Sequence, residues 1–248
     1  MLCFVLRFAA FYRKAREIVR SGEIGDIISI QASEGVGPWH QAHSFVRGHW
    51  SVVGESSPMI LSKCSHDMDI MHWIVGRRCL HVASFGSLGH FRRENAPQGA
   101  PERCVYGCPS AQSCPYNALR YADDMRDPWL GMVYNRAREA STEEITEWLQ
   151  KSPWGRCVYH CGNDVVDRQV MAMEFDGGIT GTFTMTAFEN GRHLEICGTR
   201  GVLKGGETYR KYFGAHLIVF PHESAPIPYE LKAPDGGGYE LHGGGDEG

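Results

Sequence analysis

The last part of the chain constrains the fold most, because strand-like runs follow one another there with no helical segment between them. Gln169 to Phe175 and Ile179 to Phe188 flank Asp176-Gly177-Gly178, whose residues tolerate the positive φ of a tight hairpin turn. His193 to Cys197, Gly201 to Lys204, Tyr209 to Tyr212 and His216 to Phe220 continue the meander. Parallel neighbours need a long crossover, usually helical, between them. Strands in unbroken succession therefore predict an open, mostly antiparallel β-sheet. With helices packed on one face, the chain is α+β and not doubly wound.

Upstream, Leu2 to Leu6 reads as a strand stub. A helix over Phe11 to Arg20 follows, with Gly22 just past its end. Its Arg13, Lys14, Arg16 and Arg20 read as a solvated face. Asp26 to Glu34 sets Ile28, Ile30 and Ala32 against Ser29, Gln31 and Ser33, the period of a half-buried strand. Trp39 to Trp50 shows no period and is expected to be a loop. Pro58 leads into a helix over Met59 to Val75, ended by Gly76, and Leu80 to Leu88 is a strand. Residues 92–165 form an insertion rich in Cys, Pro and Asp, with a short helix near Thr142 to Lys151. The glycine runs 236–238 and 243–245 do not lead from a strand into a helix and fail as phosphate loops.

At 248 residues the chain suits one large domain or two small ones. Its net charge of −4 argues against a nucleic-acid partner. No apolar run approaches the roughly 20 residues that span a bilayer, and no cleavable leader is evident. The chain is therefore expected to be soluble and cytoplasmic, with no membrane partner.

Three groups of residues carry chemistry. In the helix after Pro58, His66 and Asp69 share a face, with Lys63 three residues before the histidine. Such a stripe suits proton transfer, histidine being the group that titrates near neutrality. An ordinary hydrogen-bond network at a helix entrance accounts for the same residues. In the 39–50 segment, Trp39, His40, His43, Arg47 and Trp50 place rings beside hydrogen-bonding groups, as a polyol site requires. A polar surface loop pinned by two tryptophans is the competing account, and His40 with His43 as metal ligands a third.

The third group is the cysteines, nine in all. An odd number without a secretory leader does not suggest a disulfide framework. Cys3, Cys64, Cys79 and Cys197 have apolar neighbours and read as core residues. Cys104, Cys108, Cys114, Cys157 and Cys161 cluster in the insertion, which looks short of apolar material. A structural zinc or iron–sulfur site is one expectation there. A buried thiol cluster and a chance enrichment are the others.

Several segments follow one another in a telling order: Val5-Leu6-Arg7 before Phe11-Tyr12, Gly22-Glu23-Ile24-Gly25, the Pro58 to Trp73 helix with His66, Asp69 and Trp73, Cys197 to Leu203, and His242 to Asp246. That order resembles the glucose-fructose oxidoreductase/inositol dehydrogenase/rhizopine-catabolism (Gfo/Idh/MocA) oxidoreductase family. The resemblance implies a two-domain NAD- or NADP-dependent oxidoreductase acting on a sugar, inositol or related polyol, with His66 as catalytic base. In the family an aspartate often stands four residues before that histidine; Ser62 stands here, and Lys63 is the nearest ionisable neighbour. The glycine fingerprint and the Glu-Lys-Pro lysine of the family are missing, so no cofactor-binding residues are assigned. Residues 1–24 are then expected to be a remnant of a Rossmann domain's end, and 25–248 the substrate-binding and oligomerisation domain. Such a truncated C-terminal portion is expected to be inactive alone and to form a homo-oligomer through its sheet face. A non-catalytic small-ligand-binding module and a metal-stabilised interaction module are the alternatives from other classes.

Overall fold

The computed structural model describes residues 4–127, 129–206 and 216–231. The chain divides into two compact units, the first comprising Met1–Gly35, Lys63–Gly86 and Gln169–Gly248, the second Val36–Ser62 and Ser87–Arg168. The strand expected at 209–212 and the glycine runs near the C-terminus lie outside the described residues.

The sheet belongs to the first unit. Its strands are β1 (Ile27–Val36), β2 (Cys79–Ser87), β3 (Arg168–Phe175), β4 (Ile179–Thr186), β5 (Asn190–Gly198), β6 (Gly201–Gly206), β7 (Leu217–Pro221) and β8 (Ile227–Tyr229), in the order β2-β3-β4-β1-β5-β6-β7-β8. β5 to β8 pair antiparallel in succession, with Ile196 opposite Leu203 and Leu203 opposite Val219. The sheet is open and mostly antiparallel. One pairing departs from a meander: β1 enters the middle and runs parallel to β4, from Ser29 opposite Thr180 to Gly35 opposite Thr186. β1 and β4 are separated by most of the chain, which supplies the long crossover that a parallel pairing needs. β4 alternates cleanly, with Phe183 and Met185 buried and Thr182 and Thr184 exposed. The short β8 contains Pro228, which an edge strand tolerates because its outer backbone needs no donor.

α1 (Ala10–Ser21) buries Tyr12, Ala15 and Ile18 and stops at Gly22, whose φ of 75° is left-handed. It lies on the sheet at β6, where a Cβ added to Gly205 would come within 2.9 Å of the Phe11 ring. The strand stub expected near the N-terminus does not form in the described part: Val5–Phe8 is a 3₁₀ turn. The helix expected over 59–75 is broken in two. α2 (Pro38–His40) and α3 (Met59–Ser62) are single turns, and α4 (Ser65–Val75) begins only after Cys64, whose ψ of 2° is not helical.

The second unit starts where Gly37, at φ 91°, lets the chain turn from β1 into Pro38 at the first helical position. The expected loop is instead helical to Val46, with Gln41–Val46 in wide π turns. Missing periodicity is what a π segment produces, since its side chains advance out of step with 3.6 residues per turn. α5 (Thr142–Lys151) carries a complete capping box: Ser141 accepts from the Glu144 N–H, and the Glu144 carboxylate accepts from the Ser141 N–H. Ile145 and Leu149 pack with Trp39, Tyr121, Leu130 and Trp154 in a core of the unit's own. The insertion is therefore not short of apolar material.

Candidate functional site

Within the first unit, β1, β5 and the start of α4 bring together four charged side chains. Glu34 has the same strand parity as Ile30 and is likewise buried, being only 2% exposed. Lys63, in the break before α4, places Nζ 3.3 Å from Glu34 Oε1. Arg192, on β5, places Nε 2.8 Å from Glu34 Oε2 and 2.8 Å from Asp67 Oδ1. Asp67 stands in the first turn of α4, where the helix dipole favours an anion. Two cations and two carboxylates make the cluster neutral overall.

Burial pushes the Glu34 carboxyl above its ordinary range, and Asp67 adds to this, against the pull of Arg192 and Lys63. Burial would lower the Arg192 guanidinium, but Asp67 and Glu34 hold it well above its usual value. Asp67 Oδ2 and Arg192 Nη2 are buried and have no hydrogen-bond partner in the protein. Burial, with Asp67 and Glu34, also raises the nearby Cys64 thiol far out of the nucleophilic range.

His66 is half-buried on the same helical turn as Asp67, with the Phe4 ring edge-on at 5.8 Å. The single stripe of Lys63, His66 and Asp69 does not form. Lys63 lies before the helix and pairs with Glu34, while Asp69 forms a two-pronged bond to Arg7 at 2.7 and 2.5 Å. The sequence reading missed Glu34, Asp67 and Arg192. One signal was available: Glu34 is a charge at an apolar-parity position of its strand.

Trp39, His40, His43, Arg47 and Trp50 belong to the second unit. Trp39 is in the core, under the Arg120 guanidinium at 5.0 Å. His43 Nδ1 shares a 2.6 Å hydrogen bond with the Tyr121 hydroxyl. Burial, then Arg47 and His49, push this imidazole down to about 4, so it is neutral at pH 7. Arg47 is buried and donates to the carbonyls of Arg156 and Tyr116 at 2.8 and 2.5 Å, with Cys104 Sγ 3.9 Å away. These three side chains brace the unit's interior. His40 is half-buried against Trp129, and Trp50 is exposed.

Cys104 and Cys157 are buried, and Cys108, Cys114 and Cys161 half-buried, all as free thiols. Burial pushes Cys157 up to about 11 and raises Cys114 and Cys161. Among the described residues, no group of three or more His, Cys, Asp or Glu side chains is arranged to hold a metal ion. The zinc or iron–sulfur expectation is therefore unsupported, and the unit's own apolar core supplies the cohesion that a metal was invoked to provide. Nor does any described strand-to-helix turn carry Gly-x-Gly-x-x-Gly. The described residues thus do not fit a nicotinamide dinucleotide's phosphates.

Residues 16–216 match the model of the "Oxidoreductase family, C-terminal alpha/beta domain". YteT of Bacillus subtilis (strain 168), named as a candidate oxidoreductase, is 23% identical over 261 residues, covering 99% of this chain and 57% of its own length. The solved super-repressor mutant of Gal80p from Saccharomyces cerevisiae aligns with a TM-score of 0.54 at 13% identity, over 98% of this chain and 48% of that one. An inositol dehydrogenase homolog from Azotobacter vinelandii, complexed with NAD+, aligns at 0.51 and 11% identity, over 92% and 42%. At such identities the structures speak for the fold alone, and the chain spans about half the length of these relatives. No helix among the described residues is long and apolar enough to cross a membrane. The matched model takes in most of the sequence and its sheet, and the chain belongs to the Gfo/Idh/MocA oxidoreductase family through that family's C-terminal α/β domain.

Proposed function

We propose that this chain is the substrate-binding part of an NAD- or NADP-dependent oxidoreductase acting on a sugar, inositol or related polyol. The observation that carries this reading is the neutral cluster of Glu34, Lys63, Arg192 and Asp67 beside the turn that bears His66. Each cation already faces a carboxylate, so the cluster offers directed donors and acceptors rather than net charge, which suits uncharged hydroxyls. His66 takes the proton of the reacting hydroxyl, and Lys63, kept in place by Glu34, donates to the same oxygen. The nicotinamide supplies hydride chemistry when bound. The contribution of the described residues is to hold the polyol and move its proton. Membership of the oxidoreductase family is what suggests the cofactor class.

The test is an assay, with NAD+ and NADP+ against a panel of neutral sugars and inositols, of this chain joined to a dinucleotide-binding domain, since the chain alone is expected to be inactive. Reduction of the nicotinamide is expected with at least one substrate, and His66→Ala should lower kcat by about 10²- to 10⁴-fold, the usual worth of a general base. Turnover untouched by His66→Ala, or none across the panel, would defeat this assignment.

Assembly belongs to the same proposal. β2 is an edge strand exposed along its whole length, with Leu80, Val82 and Phe85 open and Val170 exposed on neighbouring β3. Exposed apolar sheet of this kind favours association of like subunits.

A further inference from the structure

The second unit contains a surface cavity of about 560 Å³, within the size range of small-molecule sites, to which no role above is assigned. Leu88, Phe91 and Tyr159 give it an apolar floor. Two ion pairs stand at its rim, Arg92 with Glu94 at 2.9 Å and Arg93 with Glu102 at 3.7 Å. Gly162, at φ 70°, turns the wall with open space where a side chain would stand.

Two wall residues are incompletely bonded. Asn163 is 8% exposed, and its Nδ2 has no hydrogen-bond partner in the protein. Both ring nitrogens of His160 also lack one, Nδ1 standing 3.8 Å from Glu102 Oε1 with the side chain 10% exposed. Leaving such buried groups unsatisfied is destabilising, so a lining of this kind calls for an occupant that hydrogen-bonds.

The charges narrow the class of that occupant. Both arginines already face glutamates, which disfavours an anion. Both glutamates are paired, and Asp164 accepts from the Val53 N–H at 2.7 Å, which disfavours a cation. What remains is an amide donor and an imidazole that both donates and accepts, set above an apolar floor. A sugar ring presents that combination, with adjacent hydroxyls on its edge and C–H groups on its face. We infer that this cavity is a binding site for a neutral saccharide, its hydroxyls seated on Asn163 Nδ2 and the His160 ring. The site uses none of the residues assigned to catalysis and stands or falls independently of them.

The test is an NMR titration of the full chain, following the His160 imidazole and Asn163 amide signals. The probes are the methyl glycosides of glucose, galactose and mannose, with inorganic phosphate as the anionic control. At least one glycoside is expected to move both signals saturably, while phosphate moves neither. Asn163→Ala should weaken that binding by roughly tenfold, the worth of one hydrogen bond to a buried group. Asn163→Asp, of the same shape but without the amide donor, serves the same purpose if the alanine variant does not fold. Absence of a saturable shift with all three glycosides, a response to phosphate instead, or glycoside binding unchanged in the folded variant would each overturn the assignment.

Discussion

Glu34 and His43 show how burial turns a side chain into a pH-dependent element of stability. The His43 imidazole is held at about 4 against an ordinary 6.5, so the unfolded chain binds its proton more readily than the folded one. Stability from this group is complete above pH 6.5 and is lost as pH falls toward 4. A shift of that size is worth about 3 kcal/mol. His43→Phe should flatten the slope of stability against pH in that window, measured by urea denaturation at several pH values. The Glu34 carboxyl is shifted the other way, so its contribution is full below the ordinary carboxylate range and declines as pH rises. Arg192→Met leaves Glu34 and Asp67 buried with only Lys63 against them. It should cost about 3–5 kcal/mol, as removal of one partner from a buried ion pair does, and the loss should be smaller in acid. A denaturation midpoint unchanged near pH 7 would show that the cluster is hydrated rather than buried.

Elements whose causes lie within a few residues were legible. α5 was readable because Ser141 and Glu144 cap it within one turn, and Ile145 and Leu149 fall on one face. Ser141→Ala should lower the thermal stability of the second unit by about 1 kcal/mol, as hydrogen exchange of the α5 amides would show. The Asp176-Gly177-Gly178 turn was equally plain, since Gly177 and Gly178 both take the positive φ that the sequence foretold. The break between α3 and α4 was not legible. Lys63 and Cys64 are acceptable helix residues, and only the pairing of Lys63 with Glu34 shows that the first is used elsewhere. The π turns at Gln41–Val46 were missed because no simple period marks them.

At the scale of the molecule, the exposed β2 edge is the feature with the clearest consequence. Wild-type protein should sediment as a dimer or larger, and Val82→Glu, which puts a charge into exposed sheet, should shift it toward monomer without changing its circular dichroism. A wild-type monomer at high concentration would remove the assembly proposal.

The sequence by itself determined the class of fold, most strand and helix positions, and a family resemblance that the matched model bears out over residues 16–216. Those properties rest on alternation, turn chemistry and caps, interactions between near neighbours in the chain. Tertiary structure decided that β1 lies between β4 and β5, that the insertion joins residues 36–62 in a unit with its own core, and that Glu34, Lys63, Asp67 and Arg192 meet. Arg192 and Asp67 are 125 residues apart, and no local pattern records a partner at that distance. Their pairing follows from which strand lies beside which, and burial of the whole sheet sets that order, beyond the reach of any one segment.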